Sequence, residues 1–130
     1  ELMDAPRIAV VVPGGTLRRE TTSLVGTEGL GMLRTYNIAK GFFGAHGLTV
    51  EDGLTDVSAD EADVKRVIAA MCRRRIAVID ATKWGRVGFA PVVSLSEVAE
   101  VITDDRAPRD RVAQVRERGI QVTCVESAGP

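Results

Sequence analysis

Short, continuous runs of aliphatic residues alternate with helical stretches along this chain, and most of the runs stop at a turn rich in Gly or Asp. Arg7 to Val12 (RIAVVV) ends at Pro13-Gly14-Gly15, and Ile38 to Ala45 (IAKGFFGA) closes at Gly44 and Gly47. Ile76 to Ile79 (IAVI) ends at Asp80-Ala81-Thr82-Lys83, and Val98 to Thr103 ends at Asp104-Asp105. Runs without polar alternation suit strands buried on both faces, the habit of a parallel sheet. Strands that alternate with helices give an α/β fold, a layered and mainly parallel sheet flanked by helices, with right-handed crossovers.

The remaining segments fit that frame. Ser23 to Tyr36 carries Leu24, Leu30, Met32 and Leu33 at uneven helical spacing, weakened by Gly26, Gly29 and Gly31. His46 to Val57 reads as a long acidic loop of the kind that tends to carry function. Ser58-Ala59-Asp60-Glu61 is a capping box, and the helix it starts buries a stripe of Ala62, Val64, Val67, Ile68 and Met71. Arg73-Arg74-Arg75 is expected as that helix's last turn, where cations complement the dipole. Val87 to Val93 is a strand with Pro91 inside it, hence an edge or irregular one. Pro108 to Arg118 is a helix stopped by Gly119 with Val112 and Val115 inward, Ile120 to Val125 is the last strand, and Ser127 to Pro130 a frayed tail.

Composition excludes several classes. With 130 residues and 45% hydrophobic content the chain is one domain or part of one, with a core of Val, Ile, Leu and Ala. Seventeen basic residues against eighteen acidic ones leave no basic footprint for nucleic acid, so the Arg triplet reads as a solvated helix end. No apolar run approaches the ~20 residues of a membrane helix, and no signal peptide is visible. Cys72 and Cys124 have neither C-x-x-C spacing nor a neighbouring His, so they read as reduced thiols, buried or half-buried, in a cytoplasmic protein. No metal or cofactor is implied.

In an open parallel sheet ligands bind at the carboxyl ends of the strands. Gly14-Gly15-Thr16, Gly44-Ala45-His46-Gly47 and Asp80 to Lys83 would meet there. Gly-rich turns expose N–H groups to a phosphate, and Lys83 would supply a point charge. Each feature has a plainer explanation: Gly14-Gly15 as a tight turn, His46 as a loop residue, Asp80 as a turn cap, and Glu61 with Lys65 as an i,i+4 surface pair. Neither G-x-G-x-x-G nor a Walker pattern is present, so no nucleotide is implied.

The ordered series GGTLRRETTSLVG, GFFGAHGL, EDGLTD, EADVKR, AVIDATKWGRVGFAPV and VITD resembles the C-terminal sensor domain of DeoR-type transcriptional regulators of sugar metabolism, from about Ile8 to Val125. The resemblance implies a fold similar to the ribose-phosphate isomerase, glucosamine-phosphate deaminase and CoA-transferase group. It implies a phosphorylated sugar or related metabolite as effector, a homo-oligomer, and DNA contact only through a separate N-terminal winged helix-turn-helix. Carried over by motif, Gly14, Gly15, Thr16 and Arg18 would wall the effector pocket. Gly44 and Gly47, flanking His46, would bring backbone to the ligand, and Glu61, Lys65 and Lys83 would face the sugar phosphate. This chain lacks the family's DNA-binding helices and first βα unit, so an incomplete domain is expected. It also has Ala39 where the family often carries an acidic residue, which counts against the alternative of a sugar-phosphate isomerase or deaminase using His46, Glu61 and Lys83.

Overall fold

A computed structural model describes residues 4–127. Among the described residues, nine strands and two α-helices follow in the order β1 (Thr16–Arg18), β2 (Ser23–Val25), β3 (Ile38–Phe43), β4 (Gly47–Thr49), β5 (Gly53–Asp56), α1 (Ala59–Met71), β6 (Cys72–Val78), β7 (Ala90–Val93), β8 (Glu100–Asp104), α2 (Arg109–Glu117) and β9 (Gln121–Val125). Short 3-10 turns cover Glu28–Thr35, Ala81–Lys83 and Leu95–Glu97.

The central sheet is parallel throughout, in the order β3-β6-β8-β9. The aliphatic runs at 38–43, 76–78, 101–103 and 121–125 form its strands, as expected. α1 and α2 supply crossovers. Ser58 caps α1 by accepting the Glu61 N–H, and Gly119, at φ +80°, ends the α2 segment in a conformation that a side chain rarely adopts. The core joins Phe43, Ala77, Val101 and Val122 on one face of this sheet to Ala62 and Ala69 of α1 and Val112 and Val115 of α2. In α1 the deepest residues are these two alanines, while Val64, Val67, Ile68 and Met71 are half-buried. Small side chains let the helix approach the sheet closely.

Several expectations are corrected. Residues 46–57 are not a loop: β4 and β5 form a hairpin, and β7 joins β5 to make a second, antiparallel sheet in the order β4-β5-β7. Pro91 does sit on an edge strand, but of this second sheet, and the strand begins at Ala90 rather than Val87. The Arg triplet is not the end of α1, because Cys72 already takes extended geometry and all three arginines lie in β6. Arg75 still serves the helix end, since its Nε donates to the Ala69 carbonyl at 2.8 Å. Residues 23–36 form no α-helix: β2 takes the first part and a 3-10 turn the second, with Gly29 pressed against the Gly14 backbone.

Arg7 to Val12 is not a strand either. Ile8, Val10, Val11 and Val12 are exposed and join neither of these sheets nor the antiparallel β1–β2 pair. An apolar run signals a need for burial, but a strand also needs a ladder partner, and neither sheet edge is brought to it. Cys72 is buried and Cys124 exposed, which corrects the reading of both as sheltered. Most of the tail expected to fray, 128–130, lies outside the described residues.

Candidate functional site

β3 and β6 run parallel side by side, so the segments that leave their carboxyl ends emerge at one sheet edge. α1 is the crossover between them, which returns its first turns to the same edge. Lys65, on the second turn of α1, fills this corner. Its Nζ donates to the Gly44 carbonyl just past β3 at 2.9 Å and pairs with Asp56 Oδ2, at the end of β5, at 2.5 Å. The Asp56 side chain is only 6% exposed, and its other oxygen accepts the Val57 N–H at 2.8 Å. A carboxylate this dry needs both partners, and a helix-borne ammonium ties three elements through it.

One turn earlier on α1, the β1–β2 hairpin is clasped to the helix start. The Arg18 guanidinium donates to Ser58 Oγ at 3.0 Å and to Asp60 Oδ2 at 2.8 Å. Ser23 Oγ donates to Glu61 Oε1 at 3.0 Å. Between hairpin and helix lies a cavity of about 630 Å³. Its wall carries Arg18 and Arg19 against four carboxylates, Glu20, Glu28, Asp60 and Asp63. Such a surplus of acceptors suits hydroxyl donors and repels a free anion.

Past β6, the Asp80 carboxylate caps the 3-10 turn Ala81–Lys83 by accepting the Thr82 N–H at 2.7 Å. The Thr82 hydroxyl, which also donates to it, is the main cause holding Asp80 below the usual carboxylate range. Asp104 at the end of β8 accepts the Ala81 N–H at 2.6 Å, and that bond leads in lowering its pKa. Trp84 anchors the turn from beneath, its buried Nε1 donating to Thr103 Oγ1 at 3.0 Å. Lys83 thus projects from a rigid turn with a loose ion pair, 3.8 Å from Asp80. Trp84 also bridges Leu48 in parallel, which carries 82–86 alongside His46 and Gly47.

The sequence profile of the DeoR C terminal sensor domain matches residues 1–105. The chain belongs to this family. It is 37% identical over 107 residues to the uncharacterized HTH-type transcriptional regulator YgbI of Escherichia coli K12, covering 82% of this chain and 42% of that protein. It is 29% identical over 126 residues to the HTH-type transcriptional regulator GolR of Listeria innocua, covering 97% and 50%. A putative aga operon transcriptional repressor of Escherichia coli O157:H7 is 27% identical over 124 residues, covering 95% and 46%. The chain spans about half the length of the curated relatives it matches. All three are named as transcriptional regulators.

Within this DeoR-type sensor domain the expected residues fall into three groups. Arg18 and Glu61 belong to the hairpin–helix clasp, with Thr16 in the cavity wall. Gly44 and Lys65 make the corner with Asp56, and Lys83 tops the neighbouring turn. The remaining glycines have structural work. A Cβ on Gly47 would stand 2.0 Å from the Arg86 carbonyl oxygen, so Gly47 is there for backbone packing. Gly14 lies against Gly29, and Gly15 beside the Val25 carbonyl. His46 is half-buried and its N–H donates to the Thr55 carbonyl. The i,i+4 pair of Glu61 with Lys65 does not form, because Ser23 takes the first and Asp56 the second. The capping box is likewise half-made: Ser58 accepts from Glu61 N–H, while the Glu61 carboxylate turns to Ser23.

Sequence reasoning missed Asp56, Ser23 and Asp60 as members of this edge. Asp56 offered one signal, a carboxylate two residues ahead of a helix N-cap and at the end of an apolar G-L-T run. Among the described residues no cluster of His, Cys, Asp and Glu fits a metal ion, and no helix is long and apolar enough to cross a membrane.

Proposed function

We propose that this domain is the effector-binding and oligomerising part of a cytoplasmic transcriptional regulator, most simply a repressor, that senses a phosphorylated sugar and controls DNA binding by a separate N-terminal domain. The observation that carries it is the convergence of Lys65, Asp56, Gly44 and the Lys83 turn at the carboxyl edge of the parallel sheet, in a chain of the sensor family. The charges divide the ligand between two ends. The acidic cavity beside Arg18 takes the sugar hydroxyls, with Asp60 in its wall and Glu61 of the adjoining clasp as acceptors. The phosphate belongs at the Lys83 end, where a weakly paired ammonium on a rigid turn offers charge without new ordering.

Binding at this edge favours one arrangement of hairpin and subunits over another, and the DNA-binding heads respond to that shift. The coupling is reciprocal, so operator DNA must weaken effector binding by the same factor. The test is thermal stability against a panel of sugar phosphates and their unphosphorylated parents. A ligand at 100 times its Kd adds about 2.7 kcal/mol. A shift with a phosphorylated compound that is lost in Lys83→Ala supports the reading. A ligand that stabilises wild type and Lys83→Ala equally removes Lys83 from the site, and no shift across the panel removes the sugar-phosphate assignment.

A further inference from the structure

The segment that leaves β6 reverses at 83–86. The Arg86 N–H donates to the Lys83 carbonyl at 3.3 Å, Trp84 takes φ −67° and ψ 125°, and Gly85 takes φ +78°. This is a type II turn, whose third position calls for glycine, and its two ends are Lys83 and Arg86. A third cation reaches the same turn from another element. Arg111 lies in the first turn of α2, which follows β8, the neighbour of β6 in the central sheet. A Cβ on Gly85 would stand 2.5 Å from the Arg111 guanidinium carbon, so that group packs on the bare Cα of the turn. Arg86 and Arg111 are both exposed, and among the described residues no ion pair and no side-chain hydrogen bond engages either. Asp80 stands 3.8 Å from Lys83, and Glu51 lines a cleft of about 80 Å³ with Arg111 without pairing with it. Like charges gathered on one turn repel, and no contact within the fold repays their gathering.

We propose that Lys83, Arg86 and Arg111 form one oxyanion cradle around this turn, with Arg86 and Arg111 as further binding residues for the phosphate of the effector. The inference rests on the reading that puts the phosphate at the Lys83 end, and it names what holds it there. A phosphate monoester offers several strong acceptor oxygens at once. Each guanidinium meets two of them through its planar fork, and the Lys83 ammonium adds a point charge. The turn is already fixed. The Gly85 N–H donates to the Leu48 carbonyl at 2.8 Å, the Trp84 Nε1 to Thr103, and Gly47 packs against the Arg86 carbonyl. Binding therefore orders only the ends of three side chains, which keeps its entropic cost low. Such a cradle selects a phosphate monoester over the unphosphorylated sugar, which would leave the like charges facing one another.

The experiment is a titration of the chain with inorganic phosphate near neutral pH and at constant ionic strength. It is read by thermal unfolding and by the fluorescence of Trp84, the only tryptophan of the chain, which lies inside the turn. The variants are Arg86→Gln, Arg111→Gln, Arg86→Lys, Arg111→Lys and Lys83→Gln, with Arg118→Gln at the far end of α2 as the control for general charge. Circular dichroism checks that each folds. The expected result is saturable binding, weakened about fivefold or more by Gln at 86 or 111, largely restored by Lys there, and unchanged in Arg118→Gln. Binding that Lys83→Gln abolishes, but Arg86→Gln and Arg111→Gln leave intact, overturns the cradle while keeping Lys83 in the site. No saturable binding, or equal weakening in Arg118→Gln, overturns the cradle outright. The sugar-phosphate panel separates the two readings. A sugar phosphate that stabilises wild type, Arg86→Gln and Arg111→Gln alike keeps the effector reading and overturns the cradle. Inorganic phosphate held through all three cations, with no sugar phosphate bound, supports the cradle and removes the effector reading.

Discussion

Replacing Lys65 with Met removes the charge that joins α1 to Asp56 and Gly44 while keeping the length of the side chain. Two limits bracket the cost. An exposed ion pair contributes about 0–1 kcal/mol. Stranding one member of a buried pair costs about 3–5 kcal/mol. Asp56 lies near the buried limit at 6% exposure, but Lys65 is 26% exposed, so solvent already screens part of the interaction. Asp56 also keeps its bond from the Val57 N–H after the substitution. The expected loss is therefore about 2 kcal/mol, midway between the limits. At roughly 4 °C per kcal/mol for a domain of this size, Tm should fall by about 8 °C. Urea unfolding at pH 7 measures it, and the Lys65→Met, Asp56→Asn double variant is the control. If the loss comes from a stranded carboxylate, neutralising that carboxylate must make the double variant more stable than Lys65→Met alone. A loss below about 0.5 kcal/mol, with a double variant no more stable than the single, would refute the buried-pair account.

Three further outcomes follow from particular contacts. Gly47→Ala should destabilise by about 2–3 kcal/mol because its Cβ meets the Arg86 carbonyl, whereas Gly44→Ala, with open space around it, should stay within about 0.5 kcal/mol; equal effects would show that Gly47 is not held by packing. A thiol reagent should label one cysteine in the native protein and two in denaturant. Cys124 is exposed, while Cys72 is buried, with desolvation pushing its thiol pKa up, and donates to the Ile68 carbonyl. Asp80 and Asp104 both ionise below the ordinary Asp value near 3.8, so their contribution to stability is present above about pH 4 and is lost as pH falls below it. The urea midpoint should drop through that window, and by less in Asp104→Asn.

The parallel sheet and its two helices were legible because their signals are long or reinforced. The α1 start had a Ser cap, and α2 had a Val112/Val115 stripe with a Gly stop. The β4–β5 hairpin was not legible. Its strands are three and four residues long and buried at every position, so they show no alternation, and their Gly and Thr content mimics a loop. The Arg triplet misled because a helix-end rule and a strand start compete for the same residues, and the aliphatic run behind it extended the strand backwards. Several of the motif residues do gather at one sheet edge, but their partners there are not the ones their spacing suggested. Glu61 and Lys65 had ideal spacing for each other, worth only about 0.3–0.5 kcal/mol, and the tertiary partners Ser23 and Asp56 outweigh that. Asp56 in particular is too buried to go without a cation.

On the proposed reading, the same clasp that displaces those local pairs is the route from ligand to response. Arg18 and Ser23 hold the β1–β2 hairpin on α1 through Ser58, Asp60 and Glu61, all of them polar contacts at a half-wet surface. A sugar whose hydroxyls bond to Asp60 and Glu61 competes directly with the hairpin for the same acceptors. The parallel strands β6 and β8 make no such exchange, since core packing and backbone ladders hold them. A ligand shifts an equilibrium only by its differential affinity for the two states, and on the proposed reading the difference is localised in two hydrogen bonds, Arg18 to Asp60 and Ser23 to Glu61. Hydrogen exchange with and without a stabilising effector should therefore change most in residues 16–25 and least in β6 and β8. Uniform protection across the domain would show that the ligand acts through global stability alone. Unchanged exchange in 16–25 would place the effector elsewhere and leave the hairpin a static wall.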